Sequence, residues 1–117
     1  MKNIVFFFIT FFLYSCNSKN CEESTFEFAT YQEALNVIQN TSFEFEDETT
    51  KNSSWIENAK YYSCDMKTGF LIIETSNQEY IHKDVPIEIW EEFNSSESLG
   101  KYYNRKIKNR YYLRLEK

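Results

Sequence analysis

Two glycines and one proline are all that the 117 residues carry. So few chain-breakers exclude a long disordered or low-complexity tract. They also exclude a glycine-rich phosphate cradle, because Gly69 and Gly100 stand far apart and neither belongs to a fingerprint. Histidine occurs once, as His82. A single histidine with no nucleophile at useful spacing makes no catalytic relay, and with only Cys21 and Cys64 beside it in the folded part it makes no zinc site. No nucleophile elbow or paired-acid motif is present. The expectation is a protein that is not an enzyme and takes no cofactor or metal. Long apolar runs are missing too. The longest, Ile4 to Tyr14, has eleven residues, against the roughly 20 that cross a bilayer.

What is present is aromatic and acidic. Rings make up 19% of the chain, with Tyr 9 and Phe 11, enough to build one small core from large side chains. The length allows one domain. The net charge of -5 argues against bulk attraction to nucleic acid. Its distribution is uneven. Glu22 to Gly100 holds 17 acidic and 4 basic residues, whereas Lys101 to Lys117 holds 7 basic and 1 acidic.

The N-terminus has its own logic. Met1-Lys2-Asn3 is a short positive start, and the eleven-residue apolar run after it has the length and flanks of a secretory signal. Leu13-Tyr14-Ser15-Cys16 follows and resembles the lipobox of bacterial lipoproteins. That resemblance implies a signal peptide over residues 1–15, cleavage before Cys16, and lipid (palmitate and diacylglycerol) on Cys16. Residues 16–24 are polar and read as a tether. Residues 25–117 form the single folded domain.

Within that domain, Thr25 to Phe28 alternates as a strand. Thr30 and Glu33 form a capping box. Tyr31, Ala34, Leu35 and Ile38 then lay one apolar stripe on a helix ending near Asn40. Phe43 to Glu46 alternates again, which gives strand–helix–strand. Trp55 to Tyr62 is the next strand. Asp65 to Gly69 turns it, with Gly69 able to take positive φ. Phe70 to Ile73 is continuously apolar, as a strand covered on both faces must be, and Glu79 to His82 returns. Pro86 opens a helix that turns Pro86, Ile89, Trp90 and Phe93 inward. Ser98 caps a further short helix to about Ile107. Tyr111, Leu113 and Leu115 alternate as a last strand. The fold class expected is α+β: a small antiparallel meander with two or three packed helices, preceded by the strand–helix–strand element.

From Ser54 to Leu115 the residues resemble the KTSC domain. The features are Ser54-x-Ile56, Tyr62-x-x-Asp65, Leu71 and Ile73, Tyr80-Ile81-His82 leading into Asp84-Val85-Pro86, and Ser98-Leu99-Gly100-Lys101-Tyr102-Tyr103-Asn104 followed by Ile107-Lys108 and Tyr111. The family is named from the C-terminus of some lysyl-tRNA synthetases and also occurs alone in bacteria. Its middle strand usually carries Tyr-x-Tyr, where this chain has Tyr80-Ile81-His82. The resemblance implies the small α+β fold and no established activity. RNA binding is suggested for the family only by its neighbour.

Three sites follow. Cys16 is the lipidation site. Cys21 and Cys64 either pair, as an oxidising compartment permits, or Cys21 stays free on the tether. Tyr80, His82, Lys101, Tyr102, Tyr103, Arg105, Lys108 and Arg110 form a basic–aromatic surface. Such interleaving can neutralise the acidic remainder of the domain, meet anionic headgroups, or bind nucleic acid by charge and stacking. The function expected is a lipid-anchored, non-enzymatic interaction module of the bacterial cell envelope, held to a membrane through Cys16 and meeting a protein partner there. The alternative is an RNA-binding module acting through the basic–aromatic segment.

Overall fold

The computed structural model describes residues 19–22, 26–51 and 53–113. Residues 1–15, expected to be a signal peptide, and Cys16, Arg114 and Leu115 lie outside these residues. In chain order the elements are β1 (Lys19–Asn20), α1 (Tyr31–Gln39), β2 (Thr41–Ser42), β3 (Phe45–Glu48), β4 (Asn58–Ser63), β5 (Thr68–Glu74), β6 (Glu79–Pro86), α2 (Ile87–Ser95) and α3 (Leu99–Tyr102), which continues as a π-helical stretch, Tyr103–Ile107. Strands β3 to β6 form one antiparallel sheet in sequential order. The expected α+β class is the one observed.

The sheet has two covered faces because β5 is apolar on both. Leu71 and Ile73 point to one side, where they meet Tyr61, Val85, Trp90, Phe93, Tyr103 and Ile107. Ile72 points to the other, where it meets Ala34, Ile38, Tyr62, Ile81 and Leu113. Helix α1 therefore covers one face, and the α2–α3 corner covers the opposite one. The larger cluster is organised by rings. Trp90 stacks on Tyr61 at 5.5 Å between centroids with 7° between planes. The polar tips of both are satisfied: Trp90 Nε1 donates to Asp47 at 2.9 Å, and Tyr61 Oη donates to the Val85 carbonyl at 2.6 Å.

Helix α1 starts where the sequence says it should. Thr30 Oγ1 accepts the Glu33 amide at 3.1 Å, and the Glu33 carboxylate accepts the Ala29 amide at 2.9 Å. The box thus closes one residue earlier than its usual partner, the cap residue's own amide. Of the apolar stripe, Ala34 and Ile38 are fully buried. Tyr31 stays half in solvent and donates its hydroxyl to the Leu113 carbonyl at 2.8 Å, which ties the helix to the chain end.

Several local expectations shift. No strand forms at residues 26–28. That segment crosses the face of the sheet, and its rings anchor it: Phe26 lies 5.2 Å from Phe70 and 5.8 Å from Phe43. The strand expected at Phe43 to Glu46 begins only at Phe45. Phe43 packs with the α1-side cluster and Phe45 with the opposite one. Residues two apart in a strand share a face, so the chain must bend between them. Likewise β4 starts at Asn58, because Ser53 Oγ accepts the Ile56 amide at 3.0 Å and holds Trp55 and Ile56 in a bend. The last strand reduces to one bridge, Tyr112 with His82.

Gly69 does not take positive φ; Met66 does, at 64°. The turn is held instead by Asp65 Oδ1, which accepts the Lys67 and Thr68 amides at 2.8 and 3.0 Å, and by Ser63 Oγ, which accepts the Met66 amide at 3.0 Å. The Thr68 and Lys67 amides hold the Asp65 carboxyl below its ordinary pKa. Gly69 is needed for close approach: a Cβ there would lie 2.1 Å from the Tyr62 carbonyl oxygen.

Candidate functional site

The chain meets the domain early. Lys19 and Asn20 pair in parallel with Thr41 and Ser42. Cys21 is bonded to Cys64, at the end of β4, with Cα atoms 5.9 Å apart. Cys64 lies at the β4–β5 turn, so the segment read as a tether is fastened to that end of the sheet. The chain is therefore already part of the fold at Lys19, inside the 16–24 segment expected to be a tether.

His82 is a core residue, with no exposed surface. It lies on β6 opposite Leu71, with Nδ1 3.2 Å from the Leu71 carbonyl and Nε2 2.9 Å from Tyr103 Oη. A carbonyl only accepts, so Nδ1 carries the proton. Nε2 then accepts from the Tyr103 hydroxyl. The Tyr112 ring stacks on the imidazole at 5.2 Å. Burial pushes the imidazole pKa down to about 4, while the Leu71 hydrogen bond works in the opposite direction. His82 is thus a neutral, satisfied bridge that latches the C-terminal segment to the sheet.

The expected basic–aromatic surface separates into two layers. Tyr102 and Tyr103 are buried, His82 is buried beneath them, and Tyr80 packs half-buried against the core. These four residues therefore offer no open stacking ring. The π-helical turn explains why two consecutive tyrosines face inward. The Lys108 amide bonds back five residues to Tyr103 at 2.8 Å, and the wider turn redirects side chains. Lys101, Arg105, Lys108 and Arg110 are exposed, as is Lys106. The Arg105 guanidinium lies 5.7 Å from the centre of the Tyr102 ring. Tyr102 Oη donates to Glu92 at 2.6 Å, and burial, then this bond, raises its pKa. Among the described residues none of these five cations closes an ion pair. They form a free positive rim along the α3 end of the molecule. Glu92 and Glu97 border this rim, and a second acidic group lies apart from it. Glu46, Asp47 and Glu48 gather with Lys60 and Tyr62 at the β3 edge. Burial and the carboxylates Glu46, Glu48, Glu74 and Glu79 push the Tyr62 hydroxyl up to about 12.

Among the described residues no group of three or more histidine, cysteine, aspartate or glutamate side chains is placed to hold a metal ion, and no helix is long and apolar enough to cross a membrane.

The chemistry and the architecture together define a class: a small α+β module in which a helical corner and a short return of the chain seal the last sheet strand. Residues 52–111 match the model of the KTSC domain, and the chain belongs to the KTSC domain family. The match covers β4 through the C-terminal return, so β1 to β3 and α1 are elements added to it. No curated protein and no solved structure matches the chain.

Proposed function

We propose that this chain is a lipid-anchored, non-enzymatic interaction module of the bacterial cell envelope, acylated on Cys16 and meeting a protein partner there. The observation that carries the reading is the Cys21–Cys64 bond. Disulfides persist outside the reducing cytosol, and this one begins five residues after the lipobox cysteine. The signal-like N-terminus and the disulfide are separate features that favour the same compartment. Acyl chains on one cysteine give stable attachment, at about 0.8 kcal/mol for each buried CH₂. The fastened N-terminus would keep the domain within a few residues of the lipid surface. The rim of Lys101, Arg105, Lys108 and Arg110 is available to an acidic partner or to anionic headgroups.

The alternative is RNA binding through the same cations. It loses support from the interior position of Tyr102 and Tyr103, since binding of single strands relies on open rings as well as charge. Affinity capture from detergent-solubilised envelopes tests both readings. The expected result is enrichment of a discrete protein, together with palmitate labelling that disappears in Cys16→Ala. Recovery of RNA alone, with labelling unchanged in that variant, would put the nucleic-acid reading first.

A further inference from the structure

The bend that delays β4 leaves Trp55 37% exposed at the surface, beside the α2–α3 corner. Its ring meets Tyr103 edge to face, 5.5 Å between centroids. Its Nε1 edge abuts Gly100, where a Cβ would come within 2.6 Å. The indole is thus held from two sides while about a third of the residue's surface stays open to solvent. It forms part of the wall of a shallow cleft of about 410 Å³, together with Lys51, Ser54, Glu97, Lys101 and Asn104. Among the described residues, the side chains of Ser54, Glu97, Lys101 and Asn104 make no hydrogen bond. The Trp55 indole N–H has no acceptor there either. Lys51 is the exception, donating Nζ to the Ser96 carbonyl at 2.7 Å.

An immobilised, half-open indole ringed by unengaged donors and acceptors suits one ligand chemistry. A pyranose presents a face of C–H groups, slightly positive, which sits on the negative face of an aromatic ring. Its equatorial hydroxyls project sideways, where they need both donors and acceptors. Lys101 supplies donors, Glu97 supplies acceptors, and Ser54 and Asn104 supply both. The cleft sets the Lys51 and Lys101 ammonium groups against the single Glu97 carboxylate, a small positive balance, so selection rests on the ring and the hydrogen-bonding groups more than on charge. The cleft is open and shallow, so it suits part of a chain rather than an enclosed small molecule. We propose that this cleft is a carbohydrate-binding site in which one sugar ring of a glycan chain rests on the Trp55 indole. The site stands on its own geometry and does not require the lipid anchor.

The test uses the full chain in a detergent without a sugar headgroup. The probes are the N-acetylglucosamine tetramer, cellotetraose, maltotetraose and a single-stranded oligoadenylate, followed by saturation-transfer NMR and titration. At least one glycan is expected to bind with a Kd of about 1 mM or tighter. Trp55→Ala is expected to weaken that binding about tenfold or more, as loss of a central aromatic contact does. Asn104→Ala, at an exposed position that does not support the core, is expected to weaken it about threefold with the thermal midpoint moved by less than about 2 °C. Absence of binding by all three glycans, glycan affinity unchanged in both variants, or binding of the oligoadenylate alone would each overturn the proposal.

Discussion

His82 is held neutral between a carbonyl and a tyrosine hydroxyl, with no exposed surface, and that has a pH consequence. Its folded pKa of about 4 lies below the ordinary value of 6.5. Between those limits the unfolded chain binds a proton that the folded chain does not. Stability from this group is therefore complete above about pH 6.5 and is lost as pH falls towards 4, by up to about 3 kcal/mol. Urea unfolding at about pH 7.5 and about pH 4.5 measures the loss. His82→Gln keeps a donor and an acceptor but does not titrate, so the fall between the two pH values is expected to shrink. An equal fall in both proteins would mean that carboxylates alone cause it. Gly69 is the second position with one physical reason behind it. Its missing Cβ leaves room for the Tyr62 carbonyl, and backbone gives way less readily than a side chain. Gly69→Ala is expected to destabilise by about 2 kcal/mol or more, seen as a lower urea midpoint with the m-value unchanged.

At the scale of elements, stability is concentrated where short segments are fastened. The Cys21–Cys64 bond spans 43 residues and encloses α1, β2, β3 and β4, of which only β4 lies within the family match. Closing a loop of that length removes up to about 4 kcal/mol of unfolded-chain entropy. Reductant, or Cys64→Ser, is expected to lower stability by about 2–4 kcal/mol, and the two treatments should not add. A urea midpoint insensitive to reductant would show that the bond does not contribute in solution. Helix α1 has nine residues, too few to persist without help, and its start depends on Thr30. Thr30→Ala is expected to cost about 1 kcal/mol, measured by chemical unfolding. If the cap matters locally, amide exchange over residues 31–35 should quicken before the rest of the sheet is affected.

For the whole molecule the ruling feature is separation of charge. Three carboxylates collect at the β3 edge, and Lys101, Arg105, Lys106, Lys108 and Arg110 gather in the α3 segment and the turn after it, bordered by Glu92 and Glu97 but without ion pairs among the described residues. Free cations near a lipid surface bind it electrostatically, by about 1 kcal/mol for each that reaches the headgroups. A Cys16→Ala chain is expected to leave the membrane fraction at about 0.5 M salt, where charges are screened within a few ångströms, and to stay partly bound at low salt. The acylated chain is expected to remain bound at both. Release of the wild-type chain by salt alone would argue against the anchor.

The α+β class, the inward stripe of α1, the doubly covered β5 and the caps at Thr30 and Ser98 were legible in the sequence. Each rests on local periodicity or on hydrogen bonds within three or four residues. The boundaries that moved belong to residues whose side chains choose between two cores. Phe43 and Phe45 separate to opposite faces of the sheet, and Phe26 and Phe28 are fixed by rings far along the chain. The basic–aromatic segment was legible as composition and illegible as a surface, because alternation in sequence does not say which rings a π-helical turn directs inward. Trp55 was read as a strand residue, and only the adjacent serines hinted at its bend.

By itself the sequence determined the charge division, the strand and helix periods, the family and the cysteines that can pair, since these depend on residue type and short spacing. Only the tertiary structure decided that Cys21 reaches Cys64, that His82, Tyr102 and Tyr103 are interior, and that Trp55 stands open beside Gly100. Those outcomes depend on contacts between residues dozens of positions apart, where packing around two separate cores overrides local pattern.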